Sequence, residues 1–118
     1  MKTIILDTSF ILHAIQNKID ILSSLKQLLD FNFTLAIIDK TLEELKGKKL
    51  GNLAILYITA HNVTIIKTNK DKNVDNLILD NLSPDTIVAT QDMRLKEKLK
   101  KRKIGIITIR QKRYLALV

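Results

Sequence analysis

The sequence predicts an α/β fold of three layers, α/β/α, around a five-stranded and mostly parallel sheet. Three observations carry that expectation. Short apolar runs rich in isoleucine and valine recur along the chain at Ile4–Leu6, Leu35–Ile38, Val63–Ile66, Ile87–Ala89 and Ile104–Ile109. Segments with helical spacing of apolar residues separate them. The runs are unbroken rather than alternating, as strands covered on both faces require. Parallel neighbours need crossover connections, and the intervening helices supply them in the right-handed sense.

Strand one is expected at Thr3–Asp7, with Thr8 or Ser9 as N-cap of a helix entering at Phe10-Ile11-Leu12. A second helix fits Ile19–Leu29, whose Ile19, Leu22, Leu25, Leu28 and Leu29 share one face. Strand two is Phe33–Ile38. Asp39 then caps a short helix through Leu45, stopped at Gly47. Leu50 to His61 reads as a helix presenting Leu53, Leu56, Tyr57 and Ala60 to the core. Strand three is Val63–Thr68, and the polar stretch Asn69–Asn73 is the expected mobile loop.

Asp75–Asn81 makes a short helix that ends before Ser83-Pro84. Strand four is Thr86–Thr90. The helix Asp92–Arg102 turns Leu95 and Leu99 inward and Arg94, Lys96, Lys98 and Lys100 outward. Strand five is Ile104–Ile109, and a basic-apolar tail, Arg110–Val118, follows. Its apolar end, Tyr114–Val118, fits either an additional sheet edge or docked tail, or a homodimer contact. No repeat, linker or low-complexity segment interrupts residues 1–118, so one domain is expected.

The 118 residues contain no cysteine, which excludes a disulfide framework, a thiolate metal site and a cysteine nucleophile. No apolar stretch approaches the roughly 18–20 residues of a membrane span. Asp7 follows Met1 too closely for a signal peptide, and the expected location is the cytoplasm. The net charge of +8 is unevenly spread. Residues 1–91 hold ten Lys/Arg and ten Asp/Glu, whereas residues 92–118 hold ten Lys/Arg against Asp92 and Glu97 alone. Clustered cations suit a polyanionic partner, since binding releases counterions from phosphates; a solvated helix face is the plainer alternative.

Four acids stand where strands hand over to helices: Asp7, Glu44, Asp75 and Asp92. Singly, each has an ordinary use. Asp7, Asp75 and Asp92 suit helix caps, and Glu44 suits a solvated helix face. Jointly they differ, because open parallel sheets bind ligands beyond the carboxyl ends of their strands. Two carboxylates about 4–6 Å apart repel by roughly 3–4 kcal/mol at an effective dielectric near 20. Such a group protonates in part, splays, or binds a hard divalent cation such as Mg²⁺ or Mn²⁺.

The whole chain resembles the PIN domains, small Mg²⁺/Mn²⁺-dependent nucleases. The matching stretches are Ile4-Ile5-Leu6-Asp7-Thr8-Ser9, Thr41-Leu42-Glu43-Glu44-Leu45, Val74-Asp75-Asn76-Leu77-Ile78 and Val88-Ala89-Thr90-Gln91-Asp92-Met93-Arg94-Leu95. The family's first acid falls on Asp7, its helical glutamate on Glu44, its third acid on Asp75 and its fourth on Asp92. Thr8 and Thr90 match positions close to the metal, where hydroxyls orient carboxylates or water, and Ser9 is expected beside them. Three departures stand out: Ser9 and Gln91 replace frequent asparagines, and Asn76 replaces a second acid.

The resemblance implies hydrolysis of RNA phosphodiesters. Asp7, Asp75 and Asp92 would hold one or two Mg²⁺ or Mn²⁺, with Glu44 a ligand or water-positioner. Arg94, Lys96, Lys98, Lys100, Lys101, Arg102, Lys103, Arg110, Lys112 and Arg113 are the candidates for RNA phosphate contact, though a helix cannot turn all of them to one strand. Few aromatics are available for base stacking. His13 and His61 read as structural.

Two roles fit: the toxin of a toxin–antitoxin pair, with an antitoxin partner, or an RNA-processing nuclease with a ribosome-assembly partner. The basic tail resembles the second somewhat more, and a homodimer is common in the family. A non-catalytic RNA-binding or assembly module is the rival of a different class. A phospho-acceptor signalling domain would need paired acids after strand one, where Asp7 stands alone.

Overall fold

The computed structural model describes residues 1–118. Its elements are β1 (Lys2–Leu6), α1 (Thr8–Gln16), α2 (Ile21–Leu28), β2 (Phe33–Ile38), α3 (Asp39–Lys46), α4 (Gly51–Ala60), β3 (Thr64–Ile66), α5 (Val74–Asp80), β4 (Thr86–Ala89), α6 (Met93–Lys101), β5 (Gly105–Arg110) and β6 (Tyr114–Leu117). One sheet runs in the order β3-β2-β1-β4-β5-β6. The first five strands are parallel and β6 is antiparallel to β5. No helix is long and apolar enough to cross a membrane.

The unbroken apolar runs divide by the two-residue period of a strand. Ile4, Leu6, Leu35, Ile37, Ile87, Ala89, Ile107 and Ile109 face a core of 19 buried residues shared with α1, α2, α3 and α4. Ile5, Ala36, Ile38, Val88 and Ile106 face a second core of 11, shared with α5 and α6. The result is the expected α/β/α layering. From β1 the chain moves outward to β2 and β3, then returns to β4 on the other side of β1. A crevice therefore opens beyond the carboxyl ends of β1 and β4, where the direction of winding reverses.

Several local expectations are corrected. The sheet has six strands, not five, because Gln111 and Lys112 adopt positive φ (54° and 55°) and fold the tail back on β5. That is the backbone of a tight hairpin turn, built here without the usual Asn-Gly. Leu53 and Leu56 are 53% and 65% exposed, and Ala60 is exposed as well; Gly51, Ala54 and Ile58 are buried instead. Helix α4 is apolar all round, so its periodicity does not say which face turns inward. Strand three is confined to Thr64–Ile66.

Asp39 opens α3 rather than preceding it, and its carboxylate accepts from Thr68 N and Thr68 Oγ1 at 2.8 and 2.7 Å. The loop 69–73 is tied down: Lys70 pairs with Glu43 at 2.9 Å and Lys72 with Asp80 at 2.7 Å. Lys40 Nζ also donates to Lys72 O at 2.7 Å.

Candidate active site

Asp7 follows β1 directly and is itself the N-cap of α1, so neither Thr8 nor Ser9 has that role. Its Oδ1 accepts from Thr8 N at 2.9 Å, and its Oδ2 from Ser9 Oγ at 3.0 Å and Thr90 Oγ1 at 2.7 Å. The residue is 3% exposed. Burial pushes its carboxyl pKa up, the three donors pull it back, and the charge of Asp92 adds to the rise; the balance is upward.

The other acids arrive from separate junctions. Glu44 sits in the second turn of α3, and Thr8 Oγ1 donates to its Oε1 at 2.6 Å. Asp75 lies in the first turn of α5, whose cap is Asn73, with Asn76 N donating to Asn73 Oδ1 at 2.9 Å. Asp92 caps α6: its Oδ1 accepts from Arg94 N and Leu95 N at 2.8 and 3.2 Å. Its own N–H donates to Thr90 Oγ1 at 3.0 Å, so one hydroxyl ties Asp92 to Asp7.

Asp7, Glu44, Asp75 and Asp92 line one cleft of about 410 Å³ together with Thr8, Ser9, Lys48 and Asn73. The crowding is visible in Asp75, whose pKa is pushed up to about 6. Burial is the first cause, followed by the charges of Asp7 and Asp92, hydrogen bonding with Asp92, and the charge of Glu44. None of the three ion pairs in the molecule neutralises any of these four acids.

The donor set is all oxygen and carries surplus negative charge, which fits a hard divalent cation. No three of the acids already enclose a common point as a closed cage. The open side of the cleft leaves room for the several waters that Mg²⁺ keeps. A larger groove of about 1040 Å³ lies at the opposite end of the sheet, beside Lys2, Pro84, Arg102 and Leu117; it has no acid in its wall.

The sequence profile of a family described as "PIN like domain" matches residues 4–112. The chain belongs to that family. It is 32% identical, over 97% of its own length and 95% of the relative's, to Ribonuclease VapC4 of Methanocaldococcus jannaschii. Among solved structures it is similar to the PIN domain endonuclease Utp24, with TM-score 0.87, 25% identity, and 98% of this chain and 90% of that one covered. VapBC-1 from nontypeable Haemophilus influenzae shares the fold at TM-score 0.51 and 15% identity, over 84% of this chain and 93% of that one.

In this PIN-like chain two cleft residues had no signal in the sequence reading. Lys48 follows Gly47 in a Lys-Gly-Lys-Lys run that resembles any solvated turn, and Asn73 ends a polar loop. The histidines stay out of the cleft: His61 stacks on Tyr57 with ring centroids 3.9 Å apart and bonds Tyr57 O through Nδ1 at 2.8 Å.

The cations separate into groups. Lys96 is half-buried and donates to Thr108 Oγ1 at 2.8 Å, with Lys100 and Arg110 beside it. Arg94, Lys98, Lys101, Lys112 and Arg113 are exposed. Arg102 donates to Leu79 O at 3.2 Å and, with Lys103, borders the large groove at the far end of the sheet, away from the acids.

Proposed function

We propose that this PIN-like chain is a Mg²⁺- or Mn²⁺-dependent endoribonuclease that hydrolyses phosphodiester bonds in RNA. The observation that carries the reading is the cleft in which four acids from four separate junctions meet, with the pKa of Asp75 pushed up to about 6 by burial and by the other acids. Similarity to a ribonuclease over nearly the whole chain, and to an endonuclease at TM-score 0.87, supports it.

In this reading Asp7, Asp75 and Asp92 hold the cation, and Glu44 positions water. The bound ion would supply charge neutralisation, water activation and polarisation of a phosphoryl oxygen. The protein supplies orientation. Ser9 and Thr90 fix Asp7 Oδ2, and Thr8 turns Glu44 toward the cleft. Lys48 brings a positive charge to the rim, able to meet the phosphate that the acids repel. Water oxygen bonds to phosphorus as the bond to the leaving ribose oxygen breaks; one proton of the water departs and the leaving oxygen gains one. No histidine is required.

An RNA-processing role is favoured over a toxin role by the basic stretch 92–118, which carries the whole net charge of the chain. The test is cleavage of a single-stranded RNA with Mn²⁺, with EDTA, and with Asp7→Asn or Asp92→Asn. Loss by about 10²–10³ in each variant is expected, as for removal of a group that stabilises transition-state charge. A folded parent chain that binds RNA and does not cleave it with either metal would be an assembly module instead.

A further inference from the structure

A second crevice, also about 410 Å³, opens on the other flank of the turn that carries Asp92. Gln91, Met93, Lys96, Lys100, Thr108 and Arg110 form most of its wall. Three of these are cations, and no acidic side chain lines it. None of the molecule's three ion pairs involves them either.

Lys96 is the unusual member. A long lysine normally reaches water with its ammonium, leaving only its stem against the protein. Lys96 instead is half-buried and donates to the buried Thr108 hydroxyl, an uncharged partner, at 2.8 Å. Burial, with Lys100 and Arg110 nearby, drives its pKa down. Lys98 and Lys101 on the same helix are exposed. A partly desolvated ammonium beside two like charges is unfavourable until an anion joins them.

The crevice is also fixed relative to the acids. Thr108 Oγ1 donates to Gln91 Oε1 at 2.8 Å, and Gln91 Oε1 accepts from Ile109 N at 2.7 Å. Gln91 N donates to Ser9 Oγ at 3.3 Å, and Ser9 Oγ donates to Asp7 Oδ2 at 3.0 Å. One run of hydrogen bonds therefore joins Lys96 to Asp7. In sequence, Asp92 of the acid cleft stands between Gln91 and Met93 of the crevice.

We infer that the Lys96–Lys100–Arg110 crevice is a phosphate subsite, seating a backbone phosphate of the RNA strand that flanks the one in the acid cleft. The inference rests on the nuclease reading for its substrate, and not for its geometry. It selects three of the many basic residues as a built site and leaves the others as a diffuse field.

The test compares Lys96→Met/Arg110→Gln with Lys98→Gln/Lys101→Gln, which remove equal charge. Binding of a labelled single-stranded oligoribonucleotide is followed by anisotropy in EDTA across a salt series. Thermal unfolding checks that each variant is folded, and Lys96→Met keeps the apolar stem. The crevice pair should lower the slope of log K against log salt by about 0.7 for the one phosphate lost, and the control pair, which only thins the diffuse field, by clearly less. With Mn²⁺, the crevice pair should raise KM while kcat holds, the mark of lost uniform binding.

Equal losses in both pairs, or none in the crevice pair, would overturn the subsite. If the parent cleaves RNA while the crevice pair binds like the parent, the subsite fails and the nuclease reading stands. If the parent binds through the crevice and never cleaves, the subsite stands and the nuclease reading fails.

Discussion

Thr90 Oγ1 donates to Asp7 Oδ2 at 2.7 Å across 83 residues of sequence, and the same oxygen accepts the Asp92 N–H at 3.0 Å. The hydroxyl therefore joins the acid after β1 to the acid after β4. It also lowers the pKa of Asp7 against the opposing effect of burial. Thr90→Val keeps the shape and removes the donor. A hydrogen bond to a charged group contributes about 1.5–3 kcal/mol, so the midpoint of urea unfolding should fall accordingly. Mn²⁺ affinity, read from the rise of Tm with Mn²⁺ concentration, should drop about 10–100-fold, and Thr90→Ser should restore most of it. An unchanged Mn²⁺ response in a folded Thr90→Val chain would leave Thr90 a packing residue only.

Asp75 gives the molecule a pH dependence of unusual sign. Its pKa rises from 3.8 to about 6 on folding, so the folded chain binds that proton more tightly than the unfolded one. Stability from this group is greatest below pH 3.8, declines as the pH rises toward about 6, and is level above that. The lowered pKa values of Asp20 and Asp39 act in the opposite sense, and only below 3.8. Without divalent ions, Asp75→Asn should therefore flatten the decline between about pH 4 and 6 and be the more stable chain at pH 7. Mn²⁺ should stabilise the parent more than the variant, because ligands must shed their protons to bind metal. Thermal unfolding at a series of pH values, with EDTA and with Mn²⁺, reads both effects.

How much of this was legible depended on which residues carried a signal. Asp7 and Asp92 could be placed at one edge because each follows an apolar run that has to be a buried strand. Glu44 and Asp75 stand farther from their apolar runs, inside helices, so the pattern placed them at strand–helix junctions without fixing which way they face. The exposure of Leu53 and Leu56 was not legible, since α4 has apolar residues on every side and no periodic contrast. Strand β6 carries little signal, because Gln111-Lys112 lacks the usual chemistry of a tight turn and the short apolar tail fits a strand and a docked end equally. Lys48 was invisible for a different reason: only the corner between α3 and α4 brings it to the acids.

Lys48 is the one basic side chain in the wall of the acid cleft. None of the three ion pairs includes it, so its ammonium is available to a substrate phosphate. Lys48→Met should reduce kcat/KM for RNA about tenfold, which is about 1.4 kcal/mol of transition-state stabilisation. Lys49→Met removes the same charge one residue away, outside that wall, and should change it little. The Mn²⁺-induced Tm shift should not weaken in Lys48→Met, because a cation leaving the cleft does not repel metal. Equal kinetic losses in the two variants would reduce Lys48 to a share of the general field.

That corner depends on one close approach. A Cβ added to Gly51 would lie 1.7 Å from Leu45 O and 2.7 Å from Leu45 C, both backbone atoms that no side-chain rotation can clear. Leu50, just before it, has φ 67° and so already carries the strain of the left-handed region. Gly51 N donates to Lys48 O at 3.0 Å, closing the turn that presents Lys48. Gly51→Ala has to push α4 away from α3, and α3 carries Glu44. A loss of roughly 1–3 kcal/mol is expected, as for overpacking of a tight interior, together with weaker RNA cleavage. Gly47 is the control: nothing lies within 4 Å of its added Cβ, and its φ of −92° suits any residue. Gly47→Ala should fold and cleave as the parent does, so urea unfolding and cleavage rates of the two alanine variants separate a requirement for space from a general preference for glycine in turns.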